Sequence, residues 1–252
     1  MRRAASLLGP ILVPAAAVLL WWRLSAGSPS LYFPPLEQIL TSFRGNWLSW
    51  DSFREIALPS VVRLSVSMAI AFALGVVVGT LVGLSRLGEA LVRPELEFMR
   101  ALPPILLIPP MILVLGTGNG MNTLVIVASA IWPILIATAD GVRTVEPVRD
   151  DMVRVFGLPW RARLHHLSLP TAVPHIWSGV QAAMPIAIVV MISAEYYSSS
   201  NGIGYFISQT TTSFRLADMW SAVLLLGLIG IASNGLLVLV GRELHRRFGE
   251  YA

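Results

Sequence analysis

The stretch Asp151-Met-Val-Arg-Val-Phe-Gly157-Leu-Pro-Trp-Arg-Ala-Arg-Leu-His-His-Leu167-Ser-Leu169-Pro170 decides how the chain is to be read. Glu146, Pro147, Asp150 and Asp151 precede a short apolar-periodic run, as acidic residues do near a helix start. Gly157 breaks that run. Pro159 is then well placed in the first turn of a second short helix over 158–167, and Leu169-Pro170 ends it. In this second piece Leu158, Trp160, Leu164 and Leu167 stand among Arg161, Arg163, His165 and His166. Such a helix fits a groove of another protein. The loop 141–173 therefore reads as helix, glycine turn, amphipathic helix, proline stop.

On either side of the loop the chain is apolar. Crossing about 30 Å of hydrocarbon takes ~20 apolar helical residues. Six segments qualify or nearly qualify: 7–24, 60–84, 101–116, 121–140, 174–194 and 218–240. The third is short and carries Pro103, Pro104, Pro109 and Pro110, so it is broken or kinked. Broken backbone survives at membrane depth only where protein buries it or where it lines a cavity. With both termini placed in the cytoplasm, thirteen of the 18 cationic side chains fall inside, which agrees with the positive-inside rule. Met1-Arg-Arg and the apolar run to Trp22 form an uncleaved first span, the alternative being a signal peptide. Ala71, Gly75, Gly79 and Gly83 share one helix face and mark a close helix–helix approach.

Composition removes several kinds of chemistry. Hydrophobic residues make up 55% of the 252 and charged residues only 13%, about half the share usual in a soluble domain. Mean hydropathy is +0.71. The net charge of +4 follows from the inside arginines rather than from a nucleic-acid surface. There is no Cys, so thiolate chemistry and disulfides are excluded. There is no Lys either, which excludes a Walker A loop and Schiff-base catalysis. His165, His166, His175 and His245 lack metal-ligand spacing, so no metal site is expected.

The loop resembles that of binding-protein-dependent ABC importer permeases, which has the form E-A-A, three residues, G, nine residues, I-x-L-P. Here Asp151-Met152-Val153 is followed by three residues, Gly157, nine more, and Leu167-Ser168-Leu169-Pro170. The spacing matches, while Asp replaces Glu, Met-Val replaces Ala-Ala and Leu replaces Ile. Ser60-Val-Val-Arg63, Ala194-Glu195 and Gly202-Ile-Gly204-Tyr205 resemble segments of the nitrate/sulfonate/taurine-type branch, with Ser67-Met68 where that branch usually has Gly-Phe.

The resemblance implies an all-α membrane protein of about six transmembrane helices with the type I ABC importer permease fold. It implies an N-terminal helix and outer loop over 1–57 and a permease core over 58–252. It also implies a place in the bacterial inner membrane and transport of a small polar solute. The implied partners are two ATP-binding subunits holding ATP and Mg, a second permease copy in a homodimer, and a periplasmic or lipid-anchored binding protein. No cofactor is expected on this chain itself, and no enzyme activity. On the same resemblance, coupling to the ATPase would rest on Asp151, Phe156, Gly157, Leu158, Pro159, Trp160, Arg161, Arg163, Leu164, Leu169 and Pro170.

Glu195, Tyr196, Met184, Met191 and Arg63 are candidates for the translocation pathway. Against each stands a plainer role. Glu195 lies near a membrane face, where it is a functional acid or the partner of Arg63 or Arg215. The tyrosines suit a pathway mouth or an interfacial belt. Met184, Pro185 and Met191, with the prolines of the third span, suit a pathway wall or ordinary packing, and Asp140 a solvated span end. An ion-coupled secondary transporter is the competing function, but no expected span carries a central acid.

Overall fold

The computed structural model describes residues 2–27, 32–85, 94, 98–99, 102–145, 152–153, 155–157 and 159–248. The helices are α1 (Arg2–Ser25), α2 (Leu36–Trp47), α3 (Trp50–Leu84), α4 (Ile108–Leu115), α5 (Asn119–Arg143), α6 (Trp160–Ser198), α7 (Ile203–Thr212) and α8 (Leu216–Phe248). Strands are absent from the described residues.

Among the described residues four helices are long and apolar enough to cross a membrane: α3, α5, α6 and α8. The other two expected spans come out differently. In α1 the described apolar stretch is Ala15–Ser25. In the proline-rich segment a 3-10 turn over Pro104–Leu107 leads into the short α4. Pro104–Leu115 is about 18 Å of helix at most, well short of the bilayer core.

Helix α5 is the centre of the bundle, 61% buried over its apolar window against 6% for α8. Small residues make this possible on two sides. The stripe on α3 packs against α5: a Cβ added at Gly79 would stand 2.5 Å from the Leu135 carbonyl oxygen and 2.7 Å from Thr138 Cβ. Gly75 and Gly83 meet Ile134 and Ala139 in the same way. On the other side Gly179 of α6 lies against Pro133 and Ala137, and Gly141 of α5 against Ala172 and His175. Replacing Gly79 with valine is therefore expected to destabilise the purified protein by about 1–3 kcal/mol, read as a lowered melting midpoint in detergent. Gly45, with open space around it, should tolerate the same change far better.

One expectation is overturned. Leu169-Pro170 does not stop a helix, because the helix that begins at Trp160 runs on to Ser198. Its turn over Leu164–Ser168 is π-helical, and the Leu169 N–H bonds to the Leu164 carbonyl. The Pro170 ring would press on the carbonyl four residues earlier, and the wider turn relieves that clash. The same device recurs before Leu58-Pro59, where residues Phe53–Ala57 are π-helical and the Leu58 N–H bonds to the Phe53 carbonyl.

Candidate functional site

Three features lie along α6. Its first turn projects from the loop. Met152, Val155, Phe156 and Trp160 there are all largely exposed, Val155 and Phe156 by 82% and 75%. Exposed apolar side chains grouped in this way mark a contact for another molecule. Gly157 adopts φ +62°, which disfavours any side chain, while nothing lies within 4 Å of the place its Cβ would take. The Arg161 guanidinium sits 5.6 Å from the centre of the Trp160 ring. Pro159 and Arg161 are exposed, and Arg163, Leu164, Leu169 and Pro170 are half-buried where the helix enters the bundle. Asp151 and Leu158 lie outside the described residues, as do Glu146, Pro147 and Asp150.

Further along, a cavity of 840 Å³ opens beside the close contact of α5 and α6. From α5 come Ser129, Trp132, Pro133, Ile136, Ala137 and Asp140, and from α6 Ser178, Gly179, Ala182, Pro185, Ile186 and Val189. Spacings of three and four place each set on one helix face. Leu102–Ile105, the broken backbone expected at a cavity, closes part of the wall. Pro133 and Pro185 each remove a helical donor, so the carbonyls of Ser129 and Gln181 lose their usual partner four residues on. The wall is mostly apolar. Asp140 supplies its carboxylate at an exposed position on the rim, and Ser129 and Ser178 supply hydroxyls.

At the far end of α6 the chain closes on a buried ion pair. Glu195 is fully buried and Arg63 is 5% exposed. One Arg63 terminal nitrogen donates to Glu195 Oε1. The other donates to Asn119 Oδ1 at 2.5 Å and Asn201 Oδ1 at 3.0 Å. Ser60 Oγ and the Gly204 N–H donate to Glu195 Oε2 at 2.8 and 2.9 Å. The Ile203 N–H in turn donates to Ser60 Oγ at 2.8 Å. Buried charges persist when paired and hydrogen-bonded; here Ser60 and Gly204 serve Glu195, and Asn119 and Asn201 serve Arg63. It also accounts for the two glycines. Gly202 has φ +105°, and a Cβ there would lie 2.6 Å from the Glu195 carboxylate. At Gly204 a Cβ would run into the Ile192 carbonyl oxygen.

The pathway candidates thus have definite places. Arg63 and Glu195 come together, and Arg215 pairs instead with Asp218, at 2.5 Å. Met191 is buried and Met184 half-buried in the main apolar core. Tyr196 is half-buried and stacks edge-on against Tyr197 with ring centres 5.2 Å apart. Of the expected path-shaping residues, Pro103, Pro104 and Pro185 do line the cavity, and the rest of its wall is made by other residues. The α5 face was missed because Ser129, Trp132 and Asp140 stand singly among apolar neighbours. Asn119, the first residue of α5, and Asn201, in the turn before α7, meet partners distant in sequence.

Membrane-length helices around a solvent-sized cavity, with an apolar contact surface outside the bundle, define a multi-pass membrane transport protein. The chain belongs to the family described as binding-protein-dependent transport system inner membrane component, which matches residues 71–250. Its place is accordingly the inner membrane, as a permease of the ABC transporter class.

Several relatives are similar over most of their length. A Bacillus subtilis (strain 168) permease named for aliphatic sulfonates is 26% identical over 93% of this chain and 85% of its own. The bicarbonate transport system permease protein CmpB of Synechococcus elongatus is 29% identical over 88% and 84%. The nitrate import permease protein NrtB of the same organism is 29% identical over 73% and 67%. Among solved structures, the inward-facing MetNI methionine ABC transporter aligns with a TM-score of 0.64 at 17% identity, over 78% of this chain and 97% of that one. At that identity the likeness speaks for the fold.

Proposed function

We propose that this chain forms half of the translocation pathway of an importer for a small polar solute, and that ATP hydrolysis in two partner subunits drives it. The solute class is that of nitrate, sulfonates, taurine, bicarbonate or related small organic compounds. A second copy of the chain completes the pathway, and a binding protein delivers the solute from outside. The chain supplies the path and the coupling, and the partners hold ATP and Mg.

One observation carries the reading: the 39-residue helix Trp160–Ser198 is continuous. At 1.5 Å per residue it is about 58 Å long. It begins at the exposed apolar loop, forms one wall of the cavity and ends in the Glu195 ion pair. A push on Trp160 by a partner therefore reaches the cavity wall along one helix, as coupling of a contact to a pathway requires. The rest of the coupling set fits this role. Leu164, Leu169 and Pro170 seat the helix where it meets the bundle, Phe156 and Trp160 face outward, and Gly157 provides the turn.

The test is solute uptake into vesicles holding the chain together with the ATPase that copurifies with it. Uptake should require ATP inside the cytoplasmic compartment and persist when ionophores collapse ion gradients. Gly157→Val imposes a strained backbone worth about 1–2 kcal/mol on the turn and should cut uptake severalfold. Uptake that follows an ion gradient and ignores ATP would establish a secondary transporter instead.

A further inference from the structure

A second pocket adjoins the cavity at Ser178 and lies at the arginine-rich end of α8, where that helix packs on α6. Its volume is 410 Å³, and Pro174, Trp177, Gln181, Gly241, Arg242 and His245 form most of it. The helices touch closely here. The Trp177 indole N–H donates to the Leu237 carbonyl at 2.8 Å, and a Cβ on Gly241 would stand 2.6 Å from the indole nitrogen. The indole is therefore fixed as the pocket's floor.

The charges around the pocket are unevenly matched. Glu243 binds both Arg246, at 2.9 Å, and Arg247, at 2.6 Å. Arg242 points to the pocket and has no acidic partner among the described residues. His245, one turn on, adds a ring N–H to the same rim. Above the pocket α8 is exposed over most of its girth, with Ile231, Leu236 and Leu239 at 72%, 63% and 64%. An apolar helix bare on several sides suits acyl chains, which can cover it all round.

From this arrangement we propose that the pocket holds the phosphate headgroup of an anionic phospholipid. Arg242 is its cationic contact, His245 a further donor, and the acyl chains lie along the apolar flank of α8. The unpaired cation at the base of a lipid-facing surface favours this occupant, since basic pockets at that depth attract anionic headgroups. The inference stands apart from the transport reading: it needs only that α8 face the bilayer.

Native mass spectrometry of the purified protein with dioleoylphosphatidylglycerol or dioleoylphosphatidylcholine tests it. The wild-type protein should retain the anionic lipid preferentially. Arg242→Gln should weaken that retention about fivefold, the effect of roughly one cation at a membrane surface. Arg247→Gln removes a cation already engaged by Glu243 and should change it little. Three results would overturn the proposal: equal retention of both lipids, equal loss in Arg242→Gln and Arg247→Gln, or displacement of the anionic lipid by millimolar inorganic phosphate. The last would assign the pocket to free phosphate.

Discussion

Replacing Glu195 with alanine is expected to lower the stability of the purified protein by about 3–5 kcal/mol, the range for removing one partner of a buried ion pair. The large size follows from what is left behind. Arg63 stays buried with its charge uncompensated, and the Ser60 hydroxyl and the Gly204 N–H lose their shared acceptor. The comparison with Arg63→Met/Glu195→Leu decides the cause. Removing both charges together should cost clearly less than removing Glu195 alone, because an apolar pair can replace a buried ion pair at little loss. Melting midpoints in detergent give both values. If the double variant is as unstable as the single one, the ion pair is not what joins α3, α5, α6 and the turn before α7.

The second large effect should leave stability untouched. Phe156 and Trp160 are 75% and 67% exposed, so Phe156→Asp and Trp160→Asp remove few contacts within the chain. Exposed substitutions of this kind usually stay within about 0.5 kcal/mol of the parent. A partner that buries these rings would lose aromatic anchors, each worth on the order of 2 kcal/mol or more. ATP-dependent uptake should therefore fall at least about tenfold in the double variant while the melting midpoint holds. A variant at Tyr197, equally exposed but at the other end of α6, should keep its ATPase. An unfolded Phe156/Trp160 variant, or one that transports normally, would remove the loop from the coupling path.

Much of this was legible along the chain. The membrane class followed from a charge content too low for water. Likewise the glycine stripe identified the close contact on α3, because four-residue spacing translates directly into one helix face. Ser60, Arg63, Glu195, Gly202 and Gly204 could each be picked out by resemblance. Arg63 is one of the two partners that the sequence offers Glu195, but the part that Ser60, Gly202 and Gly204 play around that pair could not be read, because it joins segments 132 positions apart. The proline stop at Leu169-Pro170 misled for a local reason. Proline ends a regular helix, yet a single π-helical turn ahead of it lets the helix continue, and no residue pattern here announced that turn. The prolines of the third span and Pro185 pointed to the cavity, while the rest of its walls are ordinary span residues. Only the packing of α5 on α6, close at Gly179 and Gly141, reveals which faces line it.

The central claim is that the exposed start of α6 is where an ATPase subunit grips this permease. The chain has no cysteine of its own, so one introduced by Trp160→Cys is its only thiol. A short thiol-to-amine crosslinker applied in native membranes should join this position to a P-loop ATPase, with the linked product identified by mass spectrometry. Ile231→Cys on the lipid-facing side of α8 should give no such product. Crosslinking of the ATPase from position 160 alone is the predicted result. A reactive thiol at 160 that captures no ATPase in membranes competent for ATP-driven uptake would contradict the account.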